Sequence, residues 1–372
     1  MVLLLLSGTP AVFAKESTGC TALDVRRALE QRLSADERAH LTVPFEADTE
    51  IRALALRVTA PAHSDQGKLD LLVRFFRREG FLDGYQKDWT RTARDVLESK
   101  RGNCLSYASL FVAMARSAGL RACFLDGSRI EPEFGPTGSV LVEVGHVLPG
   151  VQIGPDLVPV NLAGEDGFSQ RFEILSDLEA IADYYNNRGF EIAWTRAAEG
   201  GLARKDARSA FELATRIEPR FARAWNNLGV SYTRSGDLLA AENSFRRAVQ
   251  AEPGLAAAHA NLGQIHVRRD EQSQAIERFS RAIELDGANS HYRYFLGKAL
   301  ARAGRMSEAI AELERALSLN PRLFPAWVQL MKSRQASGDI PRARAAALEA
   351  LKLQPGQRDA KQFLDRHPEG TP

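Results

Sequence analysis

A chain of 372 residues is long enough for two domains of ordinary size, each with its own core. Its 49 Lys and Arg against 47 Asp and Glu leave a formal charge of +2, which excludes whole-molecule attraction to nucleic acid or to an anionic membrane, though not a local basic patch. With 44% hydrophobic and 26% charged residues, the composition is that of a soluble globular protein.

In chain order, the first segment reads MVLLLLSGTPAVFA. The apolar run is too short to span a bilayer, and Val12-Phe13-Ala14 closes it in the small-x-small manner of a signal-peptidase site. Residues 1–14 are therefore expected to be a signal peptide of an exported, periplasmic protein with no stable membrane span. The positively charged n-region of such a leader is missing, so a start further upstream is expected. Three cysteines, Cys20, Cys104 and Cys123, exclude a disulfide framework but allow one disulfide and one free thiol in an oxidising compartment. No CxxC or Cys/His cluster offers a zinc site, and no cofactor is expected.

Residues 20–100 read as several helices. TEIRALALRVTA and KLDLLVRFFRREG carry apolar residues at helical spacing, and TARDVLESK leads to a Gly102-Asn103-Cys104 turn. The spacing then predicts a helix over 104–118, ended by Gly119. RACFLDG, SVLVEVGHVLPGVQI and DLVPVNLAG run apolar or alternate, with Gly and Pro at their bounds, as strands do. Helices first and strands afterwards describe an α+β domain, its mainly antiparallel sheet packed on the helix that starts at Cys104.

The chemistry centres on that cysteine. At a helix N-terminus a thiolate meets unsatisfied N–H groups and the positive dipole end, which favours ionisation. A nearby imidazole would serve as base, and a third polar side chain would hold its tautomer. His146 and Asn161 lie on successive predicted strands and are the candidates for those roles. A second reading stays open: Cys104 shares a helix face with Ala108, Phe111 and Ala115 and could be a small buried apolar residue. Cys123 reads as core, with a disulfide to Cys104 or Cys20 also open.

This order of Cys at a helix start, then His and a carboxylate or amide on successive strands, resembles the transglutaminase-like superfamily over residues 45–165. The resemblance is carried by Gly102-Asn103-Cys104-Leu105-Ser106, the following helix and Gly145-His146-Val147. It implies a papain-like fold and a catalytic set Cys104, His146 and Asn161. The family usually has Asp in the third place, where this chain has Pro159-Val160-Asn161-Leu162. Asparagine can orient a histidine but does not stabilise an imidazolium by charge.

The second half repeats itself. Pro219, Pro253, Pro321 and Pro355 fall on a 34-residue grid, with Gly287 at the vacant node. The unit 222–255 carries Trp225, Leu228, Gly229, Tyr232, Ala241, Phe245, Ala248 and Pro253, a set that resembles the tetratricopeptide repeat. Units 188–221, 256–289, 290–323 and 324–357 follow it with substitutions, and a closing helix is expected around 358–366. His259 and His266 stand where the best unit has Trp225 and Tyr232, so they read as fillers of the aromatic positions rather than as a metal pair.

The expected architecture is a signal peptide (1–14), a transglutaminase-like (papain-like) α+β domain (20–185), an all-α tetratricopeptide superhelix of five repeats (188–357) and a closing helix with tail (358–372). The resemblance puts Arg223, Asn226, Arg234, Arg268, His291, Lys298, Arg302 and Lys332 on or near the concave face. Those side chains suit a protein or peptide partner, acidic or C-terminal, while nothing suits nucleic acid. Two functions remain in view. One is an enzyme that cleaves or transfers an amide through a Cys104 thioester while the repeats present the substrate. The other is a non-catalytic interaction scaffold with a degenerate first domain.

Overall fold

The computed structural model describes residues 25–86, 89–127, 129–135, 138–144, 147–162, 172–195 and 201–368. The expected leader, Cys20 and His146 lie outside the described residues. The chain divides into two compact units, Met1–Glu131 with Glu143–Ser231 and Pro132–Val142 with Tyr232–Pro372.

The first unit opens with α1 (Val25–Arg32), α2 (Ala35–Ala39), α3 (Thr49–Thr59), α4 (Asp65–Arg78) and α5 (Ala93–Ser99). Local chemistry sets the starts of these helices. Ser34 and Thr92 close capping boxes with Glu37 and Asp95, while the Asp48 and Ser64 side chains accept from the N–H groups of Ile51 and Gly67. Next comes α6 (Cys104–Ser117), in which every residue from Leu105 to Ala115 is buried. A helix apolar on all sides needs partners on all sides. On one side are Ile51 and Ala55 of α3 with Leu69, Leu72 and Phe76 of α4, the Phe76 and Phe111 rings lying 5.3 Å apart.

On the other side is a sheet. The strands are β1 (Arg121–Asp126), β2 (Arg129–Gly135), β3 (Gly138–Val144), β4 (Val147–Ile153), β5 (Asp156–Pro159) and β6 (Glu173–Leu175). Four of them form an antiparallel sheet in the order β5-β4-β1-β6, and β2 pairs with β3. Period-two alternation sorts β1 between two cores. Ala122 and Phe124 face α6 with Val147 and Val151 of β4, whereas Cys123 and Leu125 join Leu148 and Phe172 in a smaller cluster. Register places Asp126 opposite Val147. Cys123 is disulfide-bonded and Cys104 carries a free thiol.

Three further helices follow: α7 (Asp177–Thr195), α8 (Gly201–Ile217) and α9 (Ala222–Ser235). Arg116, near the end of α6, donates two hydrogen bonds (2.9 and 2.7 Å) to the buried Asp177 carboxylate at the start of α7. Helix α7 runs unbroken through the expected domain boundary at 185–188. A Cβ at Gly189 would lie 2.8 Å from the Phe211 ring, so the glycine lets α7 and α8 close on each other. The first unit thus takes in α7, α8 and most of α9.

The second unit continues with α10 (Leu238–Ala251), α11 (Ala256–Arg268), α12 (Gln272–Leu285), α13 (Ser290–Arg302), α14 (Met306–Leu319), α15 (Phe324–Ala336), α16 (Ile340–Leu353) and α17 (Arg358–Arg366). They stack as helix pairs, and the contacts repeat. Cβ atoms at Gly263 and Gly297 would meet Phe279 at 2.6 Å and Leu313 at 2.7 Å. Residues 236, 270, 304 and 338 all have positive φ, three as glycine and one as Asp270. The grid residue also has a fixed function. Trp225 and Trp327 donate Nε1–H to the carbonyls of Pro219 and Pro321 (2.9 and 2.8 Å), and His259 Nε2 reaches the Pro253 carbonyl at 3.1 Å. At the vacant node Arg293 donates to Gly287 at 3.5 Å. His259 therefore does the work of a repeat tryptophan, and its partner, a carbonyl, fixes the proton on Nε2.

Because Phe279 is wholly buried, Gly263→Val is expected to cost on the order of 2–3 kcal/mol by overpacking, read as a lower urea midpoint with helicity retained in the native baseline.

Candidate active site

The site is built from the loop before α6. Lys100 holds the left-handed region (φ 57°), and at Gly102 a Cβ would come within 2.6 Å of the Ser106 Cβ. That close approach lets the Gly102 carbonyl accept from the Gln86 N–H at 2.9 Å. Asn103 then caps α6 from a buried position. Its Oδ1 accepts from the Ser106 N–H (3.0 Å) and hydroxyl (2.8 Å), its Nδ2 donates to Thr90 Oγ1 (2.9 Å), and its N–H donates to the Trp89 carbonyl (2.9 Å). Arg91 N–H donates to Ser106 Oγ at 2.8 Å, so segment 89–91 is sewn to the helix start. It forms one wall of a cleft of about 780 Å³ whose other wall includes Tyr184, Arg188 and Glu191 of α7.

Cys104 is the first residue of α6 and is half-buried. Burial pushes its thiol up to about 11, and the Asp183 carboxylate pushes the same way; the N–H groups of Val147, Leu105 and Cys104 itself, directed at the sulfur, offset part of this. The helix end therefore acts in the expected sense but is outweighed. Val147 opens β4 and follows His146 in the chain, so the structure brings Cys104 to the start of that strand. On the neighbouring strand, Val160 N–H donates to the Pro149 carbonyl (2.8 Å). Val160 and Leu162 lie buried in the α6 core, and Asn161 between them is exposed.

Sequence reasoning missed the charges around the thiol. Asp183 on α7 has no exposed surface, and among the described residues neither carboxylate oxygen finds a hydrogen-bond partner of normal geometry. Burial raises it to about 6; the Arg223 guanidinium and the Asn186 amide pull it down, and Asp126 pushes it up. Arg223 is itself buried, 2.9 Å from the Asp126 carboxylate and with its guanidinium 5.0 Å over the Phe221 ring. Asn227 donates to Asn186 at 2.9 Å, and the buried Asn226 donates to Asn227 at 3.3 Å. Arg223 and Asn226, expected on an open groove, are instead interior groups of the first unit.

The other expected groove residues lie in the second unit. Arg268, Arg302 and Lys332 are exposed, Arg234 is half-buried, and His291 is buried and pushed down to about 4 by burial. Arg302 pairs with Asp270 at 3.3 Å and Lys332 with Asp359 at 2.5 Å. Lys298 is half-buried without an ion pair or hydrogen bond among the described residues. Burial first, then Arg302, Lys332 and Arg268, holds its ammonium below the usual lysine range. The described residues contain no group of three metal-ligating side chains and no helix long and apolar enough to cross a membrane.

Residues 52–153 match the transglutaminase-like superfamily, and 201–256, 227–284 and 260–325 match the tetratricopeptide repeat. No curated protein matches the chain. Among solved structures, it is similar to YrrB, described as a TPR protein with an unusual peptide-binding site (20% identity, 50% of this chain and 92% of that one, TM-score 0.41). It is also similar to MamA from Desulfovibrio magneticus RS-1 (18%, 47% and 96%, TM-score 0.41) and to the first TPR of Spaghetti (RPAP3) bound to an HSP90 peptide (19%, 30% and 88%, TM-score 0.30).

A carboxyl raised above its unfolded value stabilises the fold below about pH 4, and that contribution is lost as pH rises through about 6. Asp183→Asn is therefore expected to raise stability at pH 8 by on the order of 2 kcal/mol and to leave it unchanged at pH 4; urea denaturation at the two pH values measures the difference.

Proposed function

We propose that this chain, in which a transglutaminase-like core domain is followed by tetratricopeptide repeats, is an exported protein that binds a protein or peptide through its repeats and attacks an amide with Cys104. The observation that carries the reading is a free thiol at the mouth of α6 with three backbone N–H groups directed at it, one from the residue after His146. His146 takes the thiol proton as Sγ attacks the amide carbonyl, and returns it to the departing amine. The resulting Cys104 thioester is cleaved by water, giving an acid, or by a primary amine, giving a new amide; either way the thiol is regenerated. Asn161 holds the imidazole tautomer. Export is supported by the leader-like segment 1–14 and by the disulfide at Cys123. A scaffold without turnover is the second reading, favoured by the burial that raises the Cys104 thiol.

For the repeats, the half-buried Lys298 among Arg268, Arg302 and Lys332 selects an anionic segment, such as a C-terminal carboxylate or acidic side chains. Such a ligand relieves the mutual repulsion of the cations. His291 and Arg234 belong to first helices of the same array.

Iodoacetamide labelling of Cys104 at pH 7 is expected to fall at least tenfold in His146→Ala, in keeping with the usual contribution of a general base; equal labelling of the two proteins supports the scaffold. Lys298→Glu, or charge reversal at Arg234 and Arg268, is expected to weaken binding of an acidic C-terminal peptide by roughly tenfold or more. Calorimetric titration giving unchanged affinity would rule out this groove.

A further inference from the structure

The cleft between segment 89–91 and α7 takes no part in the proposed reaction, yet its polar groups are matched in an uneven way. Glu191 of α7 is only 9% exposed. One of its carboxylate oxygens accepts from Arg91 Nη1 at 3.3 Å, and the other accepts from Arg188 Nη1 at 2.7 Å and from the Thr90 N–H at 3.4 Å. A single carboxylate thus holds two guanidinium groups side by side and balances one of their two charges. Arg91 Nη1 also donates to the Thr90 carbonyl at 3.0 Å, so in both arginines the bonded nitrogen is Nη1. Their Nε–Nη2 edges make no hydrogen bond among the described residues, and 26% and 34% of the two side chains stay exposed. Trp89, with the Arg91 guanidinium 4.7 Å over its ring, and Tyr184 give the cleft its aromatic surface. The indole N–H and the tyrosine hydroxyl likewise have no hydrogen bond among the described residues. The unspent groups are therefore mostly donors. The two further carboxylates of the lining are already engaged on the α5 side, Asp95 by the Thr92 N–H and hydroxyl (3.1 and 2.8 Å) and Glu98 by Arg94 at 2.6 Å.

We propose that this cleft binds a carboxylate joined to an apolar or aromatic body, as a peptide C-terminus or a free acylated amino acid presents it. The anion docks on the Nε–Nη2 edge of Arg188 beside Arg91, and the body lies against Trp89 and Tyr184. The Nε–Nη2 edge of a guanidinium offers two parallel N–H groups, which match the two oxygens of a planar carboxylate. Glu191 holds both forks in place before the ligand arrives, so little side-chain freedom is lost on binding. An aromatic wall beside the fork favours an acid with an apolar residue next to its carboxylate over a bare anion. Every residue of the site belongs to the first unit, and the binding does not require turnover at Cys104.

The test is calorimetric titration of the full chain with N-acetyl-phenylalanine, with its amide, and with a pentapeptide ending in phenylalanine with a free carboxylate. Both acids are expected to bind, and the amide at least tenfold more weakly, because it has one acceptor and no charge. Tighter binding of the peptide than of the small acid identifies a polypeptide C-terminus as the source; equal binding identifies the terminal residue alone. Arg188→Gln is expected to lower the affinity for either acid at least tenfold, and Arg188→Lys to restore little of it, since the charge is kept and the fork is lost. Trp89→Ala should weaken acid and amide by the same factor. The titrations are repeated in Lys298→Glu, which removes the anion site proposed for the repeats. Binding lost in that chain and kept in Arg188→Gln overturns the proposal. So do equal affinities for acid and amide, no heat from either acid at millimolar concentration, or displacement of the acid by an equal concentration of inorganic phosphate. If Arg188→Gln does not fold, the comparison of acid with amide in the natural and Lys298→Glu chains decides alone. A Cys104 thiol inert to iodoacetamide in a chain that binds the acids refutes the proposed catalysis and leaves this site standing.

Discussion

A helix buried on every side poses an electrostatic problem at its first turn. Its leading amides have no partners within the helix, and water is not there to supply them. In α6 the answer is Asn103, whose side chain takes up the Ser106 amide and hydroxyl while its own donors go to Thr90 and Trp89. The arrangement fixes three things together: the path of segment 89–91, the close approach that only glycine allows at 102, and the position of Cys104 at the helix mouth. The sulfur inherits its surroundings from a solution to a folding constraint.

Those surroundings decide between two opposed effects. Amides directed at a sulfur favour the thiolate, and desolvation disfavours it. Here desolvation wins, and a buried carboxylate adds to it. A cysteine in such a place is held as the thiol. One of the charged groups acting on the thiol, Asp183, belongs to α7 and lies outside the segment 52–153 that matches the family.

Much of this was legible in the residues. The helix from Cys104, the strands at 121–126, 147–153 and 156–159 and the 34-residue period of the repeats all follow from periodicity, since buried faces dictate it. The sign of the Cys104 ionisation did not, because a dipole can be read from sequence and a depth of burial can not. The likeness between α7 and the first helix of a repeat is hidden for a more specific reason. Tyr-Tyr-Asn-Asn-Arg-Gly is the counterpart of Ala-Trp-Asn-Asn-Leu-Gly, and Gly189 meets Phe211 as Gly263 meets Phe279. The first pair is off the grid because six more residues separate its glycine from its ring, so a search at fixed period passes over it. Asp183 and Arg223 each stand six residues before the glycine of their motif.

The bond from each first helix back to the grid carbonyl bears on how such an array can change. Indole, imidazole and guanidinium all make it, to proline or to glycine, because the acceptor is backbone and is present whatever residue stands there. What the position demands is one donor able to reach six residues back, not one side chain. Duplicated units can then drift apart in sequence, even at their most recognisable aromatic site, without losing register. The surface each unit presents is left free to diversify while the spacing of the stack stays the same.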